Sequence, residues 1–221
     1  MIETFSLAFV AFLVTIDPLG IVPVFLGVTG GVASAGRRRI AAQGVLVGGL
    51  ILLVFAVLGE AVLDALGITL PAFRIAGGLM LLAIAFEMVF ERRNPRRGGT
   101  AEHIRDEQKG RDEQQGHDAQ KGFDLAVFPL GIPLIAGPGA ITAAILQMTR
   151  AEGDLAAQGV VLAALLLNLL LLFLTLWLAA ALGRHLTPTL IQVFSRLLGL
   201  VLGALAVQFV IDGIRQAFLA A

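Results

Sequence analysis

Residues 17–23 read Asp-Pro-Leu-Gly-Ile-Val-Pro and interrupt an apolar segment whose only charged residue between Thr4 and Gly36 is Asp17. A carboxylate and two prolines in so short a stretch do not continue a regular α-helix. Inside a membrane, non-helical backbone is tolerated only where protein buries it or where it lines a water-filled cavity. The stretch therefore predicts a broken membrane-spanning helix, and the break marks a candidate functional cavity.

The composition around this stretch is that of an integral membrane protein. Hydrophobic residues make up 57% of the 221 positions and charged residues only 14%, whereas about a quarter of the residues in soluble domains are charged. Mean hydropathy is +0.90. Sixteen basic and sixteen acidic residues cancel, so no net field attracts nucleic acid. Cysteine is absent, which excludes disulfides and thiolate metal sites. Without a basic region near Met1, no cleaved signal peptide is expected.

Apolar segments long enough to cross a bilayer, about 20 residues, recur along the chain. We predict six spans, three on each side of a charged segment, at residues 4–36, 40–59, 68–90, 125–149, 155–183 and 191–211. The fold class is therefore an all-α membrane protein of six transmembrane helices. Residues 1–90 form the first three-helix repeat and residues 124–221 the second, with breaks in helices 1 and 4.

Residues 91–123 differ from the spans in composition. They hold eight of the sixteen basic residues together with seven acidic ones, and such a segment cannot bury an apolar face. We expect a flexible linker. His103 and His117 lie in it without preformed geometry, so neither a metal site nor a cofactor is predicted. Basic residues accumulate after the first, third and fifth spans, which places the linker in the cytoplasm and both termini outside.

The two halves resemble each other in two pairs of segments: residues 17–21 with 137–141, and residues 73–80 with 195–202. Because each half has three spans, the second half must cross the bilayer in the opposite sense. This is the inverted-topology repeat of many secondary transporters. Two alternatives stay open. In one, residues 18–21 correspond to residues 129–132, which they also match. In the other, the similarity is a chance match between short strings of glycine and leucine.

The breaks suggest a binding site at two helix starts. Asp17 is a favoured helix cap and Pro18 fits a first helical position, and residues 137–139 have a similar form. In inverted copies the two helix starts meet near the midplane, where free N–H groups attract an anion such as a carboxylate. Pro23 would leave the Leu19 carbonyl free for a cation or an ammonium group. Together these groups suit a zwitterion.

The predicted substrate-binding residues comprise both breaks and two nearby hydroxyl groups: Asp17, Pro18, Gly20, Thr29, Gly137, Pro138, Gly139 and Thr142. Glycines in the breaks would let a ligand approach the backbone closely. Asp17 is also the predicted proton carrier, because a carboxyl group inside a membrane is expensive and usually functional. The alternative is structural, with Asp17 only capping a kinked helix. Arg74 and Arg196, near span ends, are interpreted as snorkelling to the interface.

Three segments carry a family resemblance: residues 17–25 (DPLGIVPVF), 66–78 (LGITLPAFRIAGG) and 128–142 (FPLGIPLIAGPGAIT). In this order they resemble the MarC family of bacterial and archaeal inner-membrane proteins, and the resemblance covers essentially the whole chain. Some relatives, the SnatA-like proteins, are neutral amino acid transporters that take glycine and alanine. The resemblance therefore implies an inner-membrane transporter of small neutral amino acids, with proton coupling. It supplies no list of binding residues.

The sequence as a whole favours a secondary transporter that works by alternating access, with a small zwitterionic amino acid and the lipid bilayer as partners. The alternative is an efflux transporter for drugs or other small metabolites, but one Trp and no Tyr argue against a large aromatic pocket. No enzyme is predicted, because His-Glu-x-x-His and Gly-x-Ser-x-Gly motifs are absent. A further alternative is a non-transporting membrane protein, but such a protein would not need two matched helix breaks. Glycine pairs permit a homo-oligomer without requiring one.

Overall fold

The computed structural model of the protein describes residues 1–90, 125–182 and 188–219, and these ranges contain helices and turns without any strand. The helices are α1 (Ile2–Ile16), α2 (Ile21–Val28), α3 (Ser34–Ala65), α4 (Leu70–Val89), α5 (Ala126–Ile135), α6 (Pro138–Arg150), α7 (Leu155–Leu182) and α8 (Pro188–Leu219). The predicted all-helical class is confirmed. The predicted linker, with His103 and His117, lies outside the described residues.

Five stretches of the described chain are long and apolar enough to cross a membrane: Ile2–Val28, Ser34–Ala65, Leu70–Val89, Leu155–Ala181 and Val193–Phe218. The first of these joins α1 and α2 across a turn at residues 17–20. The predicted fourth span, residues 125–149, is not among the five. It is divided into α5 and α6, and α6 has only 13 residues, fewer than the ~20 that a single spanning helix needs.

The segment that holds α5 and α6 is irregular because of its prolines. Phe128 and Ile132, which precede Pro129 and Pro133, have extended φ/ψ angles inside α5, as expected of a residue whose α conformation a following proline disfavours. Helices α5 and α6 nevertheless both run along α3 in the same direction as α3. Three glycines of α3 receive a side chain from this segment in chain order: Gly44 from Leu130, Gly48 from Ile135 and Gly59 from Ile145.

The most extensive helix contact joins α4 and α8, which pack antiparallel at small residues. A Cβ added at Gly78 would lie 2.8 Å from the Ala206 carbonyl oxygen, and one added at Gly213 would lie 2.9 Å from the Pro71 carbonyl oxygen. The two backbones therefore meet directly, as they do in close-packed membrane helices. Gly78 and Gly213 therefore serve the packing of two helices within one chain.

Two side-chain amides tie α1 to the second half of the chain. Asn168 in α7 donates through Nδ2 to the Phe9 carbonyl at 3.2 Å and to the Ala164 carbonyl at 2.9 Å. Gln147 in α6 donates through Nε2 to the Leu7 carbonyl at 3.4 Å. Both side chains are buried, so they bridge helices rather than line an open path.

Replacing Asn168 by leucine should lower the free energy of unfolding in detergent micelles by about 0.6 kcal/mol, the average for a hydrogen bond between membrane helices, and by about 1.7 kcal/mol at most. The loss comes from the bond to Phe9 of α1. Thr175→Val is the control, because the exposed Thr175 hydroxyl donates to Leu171 of its own helix. Equal losses in the two variants, measured by denaturant titration, would contradict a bridging role for Asn168.

Candidate functional site: a capped turn and an open helix start

Helix α1 ends at Asp17, whose backbone is left-handed, with φ 48° and ψ 67°. It is the one non-glycine residue with positive φ in the part of the chain that the structure describes. Aspartate and asparagine visit this conformation more readily than other side chains, and such backbone conformations cluster at functional sites. Asp17 is only 6% exposed, so the turn holds its carboxylate inside the protein.

The Asp17 carboxylate closes the turn that it begins. Its Oδ1 accepts a hydrogen bond from the Gly20 N–H at 3.1 Å, and its backbone carbonyl accepts one from the Ile21 N–H at 3.2 Å. A side-chain oxygen that accepts from the N–H three residues later, and a carbonyl that accepts from the fourth, are bonds typical of a helix cap. Regular helix α2 nevertheless begins at Ile21 with Gly20 as its N-cap, so the prediction that Pro18 is the first helical residue is wrong.

The first N–H groups of α2 are not open to an anion. The N–H groups of residues 20–22 all donate to oxygens of Asp17 or Leu19, and Pro23 has no N–H. The prediction of free N–H groups here is therefore wrong, because the Asp17 carboxylate already occupies the place of the anion. The Leu19 carbonyl, predicted to be free, accepts from the Val22 N–H at 3.2 Å, which closes a tighter first turn.

Gly20 makes room for this carboxylate. A Cβ added at Gly20 would overlap the Asp17 carboxylate oxygens and lie 2.6 Å from Asp17 Cγ. The predicted reason for the glycine was close approach of a ligand to the backbone. In the structure the group that approaches is the side chain of Asp17, so glycine at residue 20 is a requirement of the turn itself.

The start of α6 is different, because its donors are open. The helix begins at Pro138 with Gly137 as its N-cap, at φ −79° and ψ 166°, and no side chain caps it. Within the described ranges, the N–H groups of Gly139 and Ala140 donate no hydrogen bond. Every helix start leaves such donors, but here both residues are buried. The site therefore combines unpaired N–H groups with the positive end of the helix dipole.

Thr142 lies one turn further along α6 and faces α4. Its methyl group packs directly on Gly77, where an added Cβ would meet it, and the side chain is 4% exposed. Gly139 packs on α4 as well, since a Cβ there would lie 3.0 Å from the Leu81 side chain. The first two turns of α6 are thus held against α4 by a layer of small residues.

Thr29 stands apart from the Asp17 turn. It caps the C-terminal end of α2, a helix of eight residues, which separates it from the Asp17 turn by about 12 Å along the helix axis. Its buried hydroxyl donates to the Phe25 carbonyl at 2.6 Å. The structure therefore does not bring Thr29 to the Asp17 turn, and its hydroxyl proton is used by its own helix.

Both breaks border one buried apolar core, which contains Ile16 and Ile21 beside the first break and Ile135 and Ala140 beside the second. Helices α1 and α6 are in contact. The polar contacts of the two breaks nevertheless differ: the Asp17 carboxylate is turned onto its own backbone, whereas the first turn of α6 packs against α4. The arrangement is asymmetric, with a carboxylate at one break and open donors at the other.

Arg74 does not lie where the sequence predicts it. Predicted to snorkel to the interface, it is instead 6% exposed, and its Nε has no hydrogen-bond partner in the described residues. Its sequence counterpart Arg196 is exposed. A signal was present, because Arg74 stands without another charge between Pro71 and Glu87, far enough inside α4 to be enclosed by neighbouring helices.

Comparison with known proteins identifies the family. Residues 2–218 match the description "MarC family integral membrane protein". The chain is 36% identical to a UPF0056 membrane protein of Methanocaldococcus jannaschii over 99% of both chains. It is 31% identical to the UPF0056 membrane protein YhcE of Escherichia coli K12, over 95% of this chain and 91% of YhcE.

Identity to the UPF0056 inner membrane protein MarC of Escherichia coli is 30%, over 98% of this chain and 96% of that protein. No solved structure matches significantly. The family match therefore covers nearly all of the described helices, and the relatives come from both bacteria and archaea. Together with five membrane-spanning candidates in the described chain, it shows that this protein belongs to the MarC family of multi-pass integral membrane proteins.

Proposed function

We propose that the protein is an inner-membrane secondary transporter of small neutral amino acids such as glycine and alanine, coupled to protons. The observation that carries the proposal is the start of α6. There the buried N–H groups of Gly139 and Ala140 have no acceptor in the described chain, and the buried Thr142 side chain lies one turn away. A carboxylate supplies the acceptors that such a helix start favours.

The size of the surrounding residues favours a small substrate. Helix α6 meets α4 through Gly139, Thr142 and Gly77, so the backbones approach each other and leave little room for a large ligand. Drug-sized ligands usually bind in apolar pockets of several hundred Å³ lined by aromatic side chains. A carboxylate on a short carbon chain fits the α6 start better than a drug does.

Three sets of helix contacts support two inverted three-helix repeats. Helix α4 packs on α8, which are the third helices of the two halves, while α3 packs on α5 and α7 packs on α1. The second helix of each half thus contacts the first helix of the other, and a twofold axis in the membrane plane would exchange the pairs. The joint path of α5 and α6 along α3 supports counting residues 126–150 as one span, the fourth in chain order, which brings the proposed total to six.

Asp17 is the coupling group in this proposal. Its carboxylate is buried within the first span, and carboxylates inside membrane spans commonly relay protons. Protonation would weaken the bond that its Oδ1 accepts from Gly20, so it would loosen the turn between α1 and α2. The distribution of basic residues supports a cytoplasmic linker and external termini.

A ligand screen tests the proposal. Glycine and alanine should raise the thermal unfolding temperature of the purified protein, whereas glycinamide, which lacks the carboxylate, should not. Thr142→Val keeps the methyl that packs on Gly77 and removes the hydroxyl, and it should raise the Kd for glycine about tenfold, the value of one hydrogen bond of ~1.4 kcal/mol. Flux of labelled glycine into proteoliposomes, with and without a pH gradient, then tests coupling.

Three outcomes of the screen would contradict different parts of the proposal. Stabilisation by drugs, with no response to any amino acid, would replace the proposal with the efflux alternative. An equal response to glycine and glycinamide would contradict carboxylate recognition at the start of α6. A shift with glycine that is the same in wild type and Thr142→Val would place the amino acid elsewhere in the protein.

A further inference from the structure

Arg74 is a buried cation in the N-terminal half of α4, one turn before Gly77. The side chain is 6% exposed, and its Nε is enclosed without a hydrogen-bond partner in the described residues. A charged side chain within a membrane span is unfavourable unless it is paired or reaches water. A negatively charged group beside this buried and incompletely bonded guanidinium would therefore stabilise it.

The carboxylate that acts on the Arg74 charge is already paired with another arginine. Asp212 of α8 and Arg150 of α6 both act on the Arg74 charge. Asp212 Oδ2 pairs with Arg150 Nη2 at 2.6 Å, and its Oδ1 accepts from Gln208 Nε2 at 2.7 Å. The group consequently contains two guanidinium ions and one carboxylate, so an excess positive charge stays on Arg74.

The base of the Arg74 side chain packs closely against α8. Helix α8 presents Gly213 to the base of the side chain, and a Cβ there would lie 3.2 Å from Arg74 Cβ. The stem is therefore held between α4 and α8, while the Arg150–Asp212 pair, with side chains 30% and 27% exposed, forms the outer edge. The Arg150 guanidinium lies 4.9 Å over the Phe209 ring, which fixes that edge in place.

We propose that Arg74 is the centre of an oxyanion-binding site between α4, α6 and α8, which takes a carboxylate or a phosphate group. The planar guanidinium matches both groups through paired hydrogen bonds. Arg150 provides a second positive charge at the outer edge of the site. The oxyanion has two sources: a free anion from the aqueous side or the phosphate of an anionic lipid headgroup. The site does not depend on the proposed amino acid transport.

The test measures thermal unfolding in a neutral detergent at constant ionic strength. In one arm sodium chloride is replaced by sodium acetate or sodium phosphate. In the other, phosphatidylglycerol is compared with phosphatidylcholine in mixed micelles. The wild type should be stabilised in at least one arm. Arg74→Gln should abolish that response, whereas Arg196→Gln, at the exposed counterpart, should keep it.

The two arms separate the sources. A response to acetate or phosphate identifies a free oxyanion, and a response to phosphatidylglycerol alone identifies a lipid headgroup. Where Arg74→Gln does not fold, Arg74→Lys serves instead, and it should raise the half-saturating concentration about tenfold because lysine binds as a point charge. The site is refuted if the wild type responds in neither arm, or if the responding arm is unchanged in the Arg74 variant.

Discussion

Asp17→Asn should reduce glycine uptake driven by a pH gradient to background while the protein stays folded and binds glycine. Asparagine tolerates the left-handed backbone of residue 17, and its Oδ1 can still accept the Gly20 N–H. What the substitution removes is the titratable carboxyl group, the proposed proton carrier. Uptake into proteoliposomes with an imposed pH gradient, compared with exchange of labelled for unlabelled glycine without a gradient, measures the difference.

Asp17→Ala is the matched control for the structural role. Alanine lacks both the acceptor for Gly20 and the tolerance for positive φ, so this variant should lose about 1–2 kcal/mol of stability, as lost helix caps do. Asp17→Asn should lose much less. If gradient-driven uptake is unchanged in Asp17→Asn, the carboxylate is only a cap for a kinked helix, which is the structural alternative that the sequence left open.

Gly77→Ala should destabilise the contact between α4 and α6, by about 1–3 kcal/mol for an overpacked core, and should lower glycine binding with it. A Cβ at Gly77 would overlap the Thr142 methyl and lie 3.3 Å from both Thr142 Cβ and Oγ1. Because Thr142 lies beside the open start of α6, the displacement falls on the proposed site. Thermal unfolding and glycine titration of the purified variant measure the two effects.

A second substitution tests whether this contact is the cause. Thr142→Ser removes the methyl group and keeps the hydroxyl, so the double variant Gly77→Ala/Thr142→Ser should regain most of the lost stability. Gly159→Ala is the control for a glycine in open space, since an added Cβ meets no atom within 4 Å, and it should be neutral or stabilising by about 0.5–1 kcal/mol. A double variant as unstable as Gly77→Ala would contradict the direct contact.

Much of the helical architecture could be predicted from local chemistry. Long apolar runs predict membrane helices because every backbone polar group must be satisfied inside the bilayer. Helix α6 begins at Pro138, where a glycine followed by a proline predicts a helix start. The turn at residues 17–20 likewise follows from Asp17, Pro18 and Gly20. The inverted repeat, the inner-membrane location and the orientation of the termini stay predictions.

The sequence by itself determined the helical class, the apolar spans and the positions of the two breaks, because hydropathy and the φ restrictions of proline act over a few neighbouring residues. Only the tertiary structure decided which polar groups are occupied. Asp17 turns onto Gly20 and closes the start of α2, whereas the start of α6 stays open. Arg74 is enclosed because α8 packs over it, and helices distant in sequence determine such contacts.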